Sequence, residues 1–231
     1  MRTQDKVVDW VTSQLASGQL TIGDRLPSER ALADALGVSR NSLREALRVL
    51  EAMGVLHSST GSGMHSGTIV TAAPEQALSM AMGLQLASSQ FEPKHIFHTR
   101  LLLETSAMRD SDPAKLDVEA ARQILDHMSD PDLSIERFLR LDAEFHVVLS
   151  RAAENPLLSM LMGGVSLAIS DHTLELSHNL PDWRATSLRL QGEHRAILDT
   201  LADGRRDGAA DLLEAHIRGY YLETGQAARG D

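Results

Sequence analysis

Residues 25–53, RLPSERALADALGVSRNSLREALRVLEAM, constrain this chain more than any other stretch, because they set two short helices around one tight turn. Ser28 stands where an N-cap is needed and Glu29 opens the first turn, with Ala31, Leu32, Ala35 and Leu36 following at helical spacing. Gly37 stops that helix, since glycine accepts the left-handed conformation that ends one, and Val38 plugs the turn. Ser39 then caps a second helix, whose Leu43, Ala46, Leu47 and Leu50 form one apolar stripe. The pattern predicts a helix-turn-helix.

The opposite face of the second helix carries Arg40, Asn41, Arg44 and Arg48, with Ser39 and Ser42 at its start. Laid in a major groove, such a helix presents its first residues to the base edges, where Arg suits guanine and Asn suits adenine. Taken alone, an arginine-rich helix is equally well a solvated surface. Downstream, residues 54–59 and 68–71 read as two short strands around Gly61-Ser62-Gly63, the wing of a winged helix. Glycines there let backbone amides come close to phosphates.

The ordered run GDRLPSERALADALGVSRNSLREALRVLEAMGVL, followed by a Gly-x-Gly wing, resembles the winged-helix domain of GntR-type bacterial transcription regulators. The resemblance implies contacts with double-stranded DNA from Arg30, Ser39, Arg40, Asn41, Ser42, Arg44 and Gly61. The wing departs from the short Gly-x-Gly-Thr-x-Val form, because Met64-His65-Ser66-Gly67 lengthens it.

The net charge of −10 argues against a DNA-binding protein until it is divided along the chain. Residues 1–70 hold seven Lys/Arg and seven Asp/Glu, whereas residues 71–231 hold fifteen against twenty-five. All of the excess acidity lies outside the winged helix, so a local arginine cluster can meet phosphate while the remainder suppresses nonspecific binding. With no cysteine in the chain, disulfides and thiolate metal sites are excluded, and any metal must be held by His, carboxylate or water. No apolar run reaches the roughly 18–20 residues that span a bilayer, and the first ten residues, MRTQDKVVDW, are polar rather than a signal peptide. No membrane association and a cytoplasmic location are expected.

Residues 4–17 predict a first helix on Val7, Val8, Val11 and Leu15, and Ala72-Ala73-Pro74 reads as a linker. Two domains are therefore expected, a winged helix-turn-helix over 1–73 and an all-α bundle over 74–231, making the fold mainly α. Helices are predicted over 75–89, 93–110, 113–128, 134–153, 156–178, 184–203 and 207–226, with caps at Asp112-Pro113, Ser134, Asn155-Pro156 and Pro181-Asp182.

Within this second part, Asp142 and His146 lie four residues apart inside the stripe Phe138, Leu141, Phe145, Leu149 and point the same way. His194 interrupts the stripe Leu190, Ile197, Leu198, Leu201, and His216 interrupts Ala209, Leu212, Leu213, Tyr220. Buried polar groups need partners. A divalent metal would serve all four, although any single histidine is as readily a hydrogen-bonded core residue.

The segments FLRLDAEFHVVLSRAAENPLL and EHRAILDTLADGRRDGAADLLEAHIRGYY resemble the FCD effector domain of the FadR branch of these regulators. The resemblance implies a metal held by Asp142, His146, His194 and His216. With nitrogen and oxygen donors zinc is favoured, while nickel, manganese and cobalt stay open. Arg100 matches an arginine that can take an effector carboxylate, and an ion pair with Glu104 is its alternative use. His172 is a further candidate wall residue. SERALADALGVSRNSLREALRVLEAMG, TGSGMHSGTIVTAAPEQAL and LPDWRATSLRLQGEHRAIL are closest to lactate-responsive members of the branch. That likeness implies a repressor of lactate or organic-acid genes, released by a small hydroxycarboxylate, with L-lactate favoured. A homodimer reading a palindromic operator is expected, because two recognition helices then enter successive major grooves. The alternatives are a metal-dependent hydrolase with an accessory DNA-binding domain, and a constitutive DNA-binding protein with a structural metal.

Overall fold

A computed structural model describes residues 3–59, 67–71, 73, 75–87 and 91–225 of the protein. The chain divides into two compact units, Met1–Leu78 and Ser79–Asp231.

The first unit is built from α1 (Thr3–Ala16), α2 (Glu29–Leu36), α3 (Arg40–Ala52), β1 (Leu56–Ser59) and β2 (Gly67–Val70). Its caps are those that the residue types require. The Ser28 hydroxyl accepts from the Ala31 amide, Gly37 closes α2 at φ 62°, and the Ser39 hydroxyl accepts from the Ser42 amide. The two strands pair antiparallel with Leu56 opposite Val70 and Ser59 opposite Gly67, and Arg25 bridges the free side of β2 at Ile69. Val7, Val11, Leu32, Leu43, Leu47, Leu50, Leu56 and Val70 make the core. One detail differs from expectation: α2 buries Leu32 and Ala33, while Ala31 and Ala35 are exposed. Leu32 is the largest fully buried side chain of this two-turn helix, with Leu36 half-buried against the same core, and together they turn the helix that way.

The second unit is all helix among the described residues. Its elements are α4 (Glu75–Ala87, which begins at the end of the first unit), α5 (Pro93–Arg109), α6 (Val118–Met128), α7 (Ile135–Ser150), α8 (Pro156–Ser177), α9 (Trp183–Ala202) and α10 (Arg206–Glu223). The helix expected over 113–128 is interrupted. Pro113–Lys115 forms a single 3-10 turn, Leu116 turns extended, and Asp117 starts α6 by accepting from the Ala120 amide. An Asp at that place competes for the backbone as a cap, so it restarts the helix rather than continuing it.

α7 runs through the middle, packed on α6 and α8, while α10 packs on α5 and α9. Phe138, Leu141, Phe145, Leu149, Leu190, Ile197, Leu201, Leu213 and Ile217 interlock there. Phe138 meets Trp183 edge-on at 5.1 Å. Among the described residues no single helix is long and apolar enough to cross a membrane.

Candidate functional site

Three helices aim their ligand-type side chains at one point of this core. Asp142 and His146 come from α7, His194 from α9 and His216 from α10, and they are 4, 3, 0 and 3 % exposed. One donor atom from each lies within 4.8 Å of all the others. Asp142 Oδ1 stands 3.0 Å from His194 Nε2, 3.8 Å from His146 Nε2 and 3.9 Å from His216 Nε2. His194 Nε2 and His216 Nε2 are 3.3 Å apart. Donors about 2.0–2.2 Å from a shared ion stand no more than about 4.4 Å from one another. The four separations just given fall inside that limit and the 4.8 Å that bounds the whole set lies a few tenths beyond it, so a small inward shift of the rings would let the set hold a divalent metal.

A second layer orients the rings. His146 turns its Nδ1 to Glu104 Oε2 at 2.5 Å, and His216 turns its Nδ1 to Glu193 Oε2 at 2.8 Å. Each carboxylate holds one ring nitrogen, which leaves Nε2 facing the cluster, the arrangement that ligating histidines need. Glu193 is held in turn by Arg189 at 2.6 Å, and Arg189 reaches Glu223 at 2.5 Å. A chain of contacts thus runs from His216 to the last turn of α10.

Burial and charge oppose each other throughout the site. Burial raises the Asp142 carboxyl, but His146 and His194 outweigh it and hold it well below the usual carboxylate range. Glu104 stays ionised, at about 2, because His146 and Arg100 overcome the same penalty. Burial drives His216 down to about 4, with His194 adding to the shift, and it lowers His194 as well. His146 goes the other way, to about 9, since Glu104 and Asp142 outweigh its burial. His194 and His216 are therefore neutral at pH 7, as ligands must be.

Arg100 pairs with Glu104, the alternative partner expected for it, and also reaches the cluster. Its Nε donates to Glu104 at 2.7 Å, while its Nη2 lies 3.4 Å from Asp142 Oδ2 and 3.3 Å from His146 Nε2. It also lines a pocket of about 100 Å³ with Met82, Ile96, Val165, Ala168 and Ile169. His172 is buried on α8, with no hydrogen bond to the cluster. Glu193, Arg189 and Tyr221 are absent from the expected set. For the first two, the only signal is an i,i+4 Arg-Glu pair that ends beside His194.

Glu144 lies exposed on the far side of α7, paired with Arg137 at 3.4 Å. It cannot serve this site as a base.

On the first unit, Arg30, Ser39, Arg40, Asn41 and Arg44 are exposed and Ser42 is half-buried. Arg44 is braced by Glu29 at 2.9 Å, and the Ser39 and Ser42 hydroxyls sit 2.9 Å apart at the start of α3. Gly61, the expected wing contact, lies outside the described residues.

Comparison with known proteins agrees with both units. Residues 3–65 match the family described as "Bacterial regulatory proteins, gntR family", and residues 95–219 match the FCD domain. The "Putative L-lactate dehydrogenase operon regulatory protein" of Escherichia coli (strain K12) is 31% identical, over 94% of this chain and 84% of that protein. "HTH-type transcriptional regulator LutR" of Bacillus subtilis (strain 168) is 30% identical, over 92% of this chain and all (100%) of its own. A solved "Streptococcus agalactiae GntR" shares the fold at a TM-score of 0.60 and 22% identity, covering 94% of this chain and 98% of that one. These relatives are transcriptional regulators, so the hydrolase alternative falls away. The chain belongs to the gntR family of bacterial regulatory proteins, as a DNA-binding transcriptional regulator that carries an FCD domain.

Proposed function

We propose that a winged helix over 1–73 reads a palindromic operator as part of a homodimer, and that a bundle over 74–231 governs that binding through a metal and a small hydroxycarboxylate. Zinc is the favoured ion, because a nitrogen and oxygen set of four without sulfur suits it; nickel, manganese and cobalt stay open. Asp142, His146, His194 and His216 would hold it, and it would supply a Lewis-acidic centre for an anionic oxygen. Arg30, Ser39, Arg40, Asn41, Ser42, Arg44 and Gly61 are the proposed DNA contacts.

The observation that carries the effector is the guanidinium of Arg100, touching both Asp142 and His146 inside the core. With His146 deprotonated, as a ligand must be, the fully buried charges are the anions Asp142 and Glu104 and the cation Arg100. A divalent ion beside them leaves one uncompensated positive charge, and burying that charge is costly unless an anion joins it. A single carboxylate, forked on Arg100 and facing the metal, balances the site. L-Lactate leads the candidates, since the relative from Escherichia coli is named for an L-lactate dehydrogenase operon. Release of DNA follows if the acid binds the free arrangement more tightly than the DNA-bound one.

The test is operator binding by the metal-loaded protein at fixed salt, on a duplex selected from a random pool, titrated with L-lactate, D-lactate, glycolate and pyruvate. Release by one acid, lost in His146→Ala, is expected. Operator affinity indifferent to every acid, with metal demonstrably bound, would overturn the effector and leave a structural metal.

A further inference from the structure

Two tyrosines end α10 side by side, and the protein treats them differently. Tyr220 donates its hydroxyl to the Thr173 carbonyl at 2.7 Å. The Tyr221 hydroxyl has no hydrogen-bond partner among the described residues, although the residue is only 2 % exposed. His172 Nε2 is in the same condition. Leaving a buried polar group unpaired destabilises the fold, and a phenylalanine would fill the Tyr221 site without that penalty.

The two unpaired groups lie together, on α10 and α8, which both pack on the helix that carries Arg100. The His172 and Tyr221 rings are 5.8 Å apart, and Tyr221 packs on Phe97 at 4.7 Å, one turn before Arg100 on α5. Both groups feel the Arg100 charge: burial pushes Tyr221 up to about 12 with Arg100 opposing, and burial with Arg100 presses His172 down to about 4. Tyr221 is therefore a neutral donor at pH 7, and His172 a neutral ring able to donate or accept.

We infer that Tyr221 and His172 read the second polar group of the acid whose carboxylate Arg100 takes, so that the site selects 2-hydroxy or 2-keto acids over plain carboxylates. This rests on the effector reading above. The Tyr221 hydroxyl donates to the 2-oxygen, and His172 completes that oxygen's hydrogen bonding. Sites built to pair a substrate hydroxyl discriminate strongly against its absence, because their own polar groups are otherwise stranded.

Calorimetric titration of the metal-loaded full chain with L-lactate and with propionate, the same acid lacking the hydroxyl, tests this. The wild type is expected to prefer lactate on the order of 10- to 100-fold. Tyr221→Phe should lower lactate affinity, leave propionate binding unchanged and collapse the ratio, with metal content retained and the thermal midpoint held or raised. His172→Gln, which keeps one donor and one acceptor, should fall between. Full discrimination in Tyr221→Phe, or equal weakening of both acids, overturns the inference while leaving the effector reading standing. If neither acid binds the wild type, both fall.

Discussion

The two units of this protein place their polar chemistry oppositely. In the first, Arg30, Arg40, Asn41 and Arg44 stand in solvent around a small apolar core. In the second, Asp142, His146, His194, His216, Arg100 and Glu104 are sealed inside one. Exposed groups are hydrated whether or not the chain folds, so they are available for a partner at little cost to stability. Buried ones must satisfy each other, which ties ligand binding to folding. The first unit can therefore change these exposed residues at little cost to its stability, and the second cannot change its buried ones so.

That contrast is most open to challenge at Asp142. Asp142→Ala strips the imidazoles and Arg100 of the carboxylate between them, and it should destabilise the second unit by about 3–5 kcal/mol and abolish metal retention. Denaturant unfolding and metal content after dialysis read both effects. Unchanged stability would mean that the buried cluster is not what ties this unit together.

Glu193→Gln probes the layer behind the ligands. Metal affinity, read by competition with a chromophoric chelator, should fall about 10- to 100-fold as His216 loses its orienting carboxylate. An unaltered affinity would show that packing alone aims the ring.

In the first unit the effects shrink. Ser39→Ala removes the hydroxyl that caps α3, and it should cost about 1 kcal/mol of that unit's stability with metal affinity untouched. Arg40→Ala should stay within about 0.5 kcal/mol in stability. Its operator affinity should drop, with a salt slope about one unit shallower if Arg40 meets phosphate. A large stability loss at Arg40 would erase the contrast.

Much of this was legible in the residues, for local reasons. Ser28, Gly37 and Ser39 announce the turn because capping is decided by neighbours one to three positions away. Asp142 and His146 declare a shared direction because helical periodicity makes positions four apart coincide. His194 and His216 were visible as breaks in apolar stripes. The roles of Glu193 and Glu104 were not, since the nitrogen each one holds is offered by another helix. Arg100 was legible only as a choice between Glu104 and an acid, and in the fold it touches Glu104 and Asp142 together. The break at Leu116 and Asp117 escaped because apolar spacing ran straight across it.

Apart from the break before Asp117 and the rotation of α2, the order of residues by itself determined where most helices start and stop, the apolar stripes of the helices that carry the cluster, and which ligand-type side chains turn inward. Those are matters of backbone geometry within a few residues. Only the tertiary structure decided that three inward faces from α7, α9 and α10 converge on one point. It alone set Arg100 against that point and left the Tyr221 hydroxyl without a hydrogen-bond partner among the described residues while that of Tyr220 is satisfied. Convergence depends on how helices distant in sequence cross and rotate against each other, and that is settled by packing across the whole core.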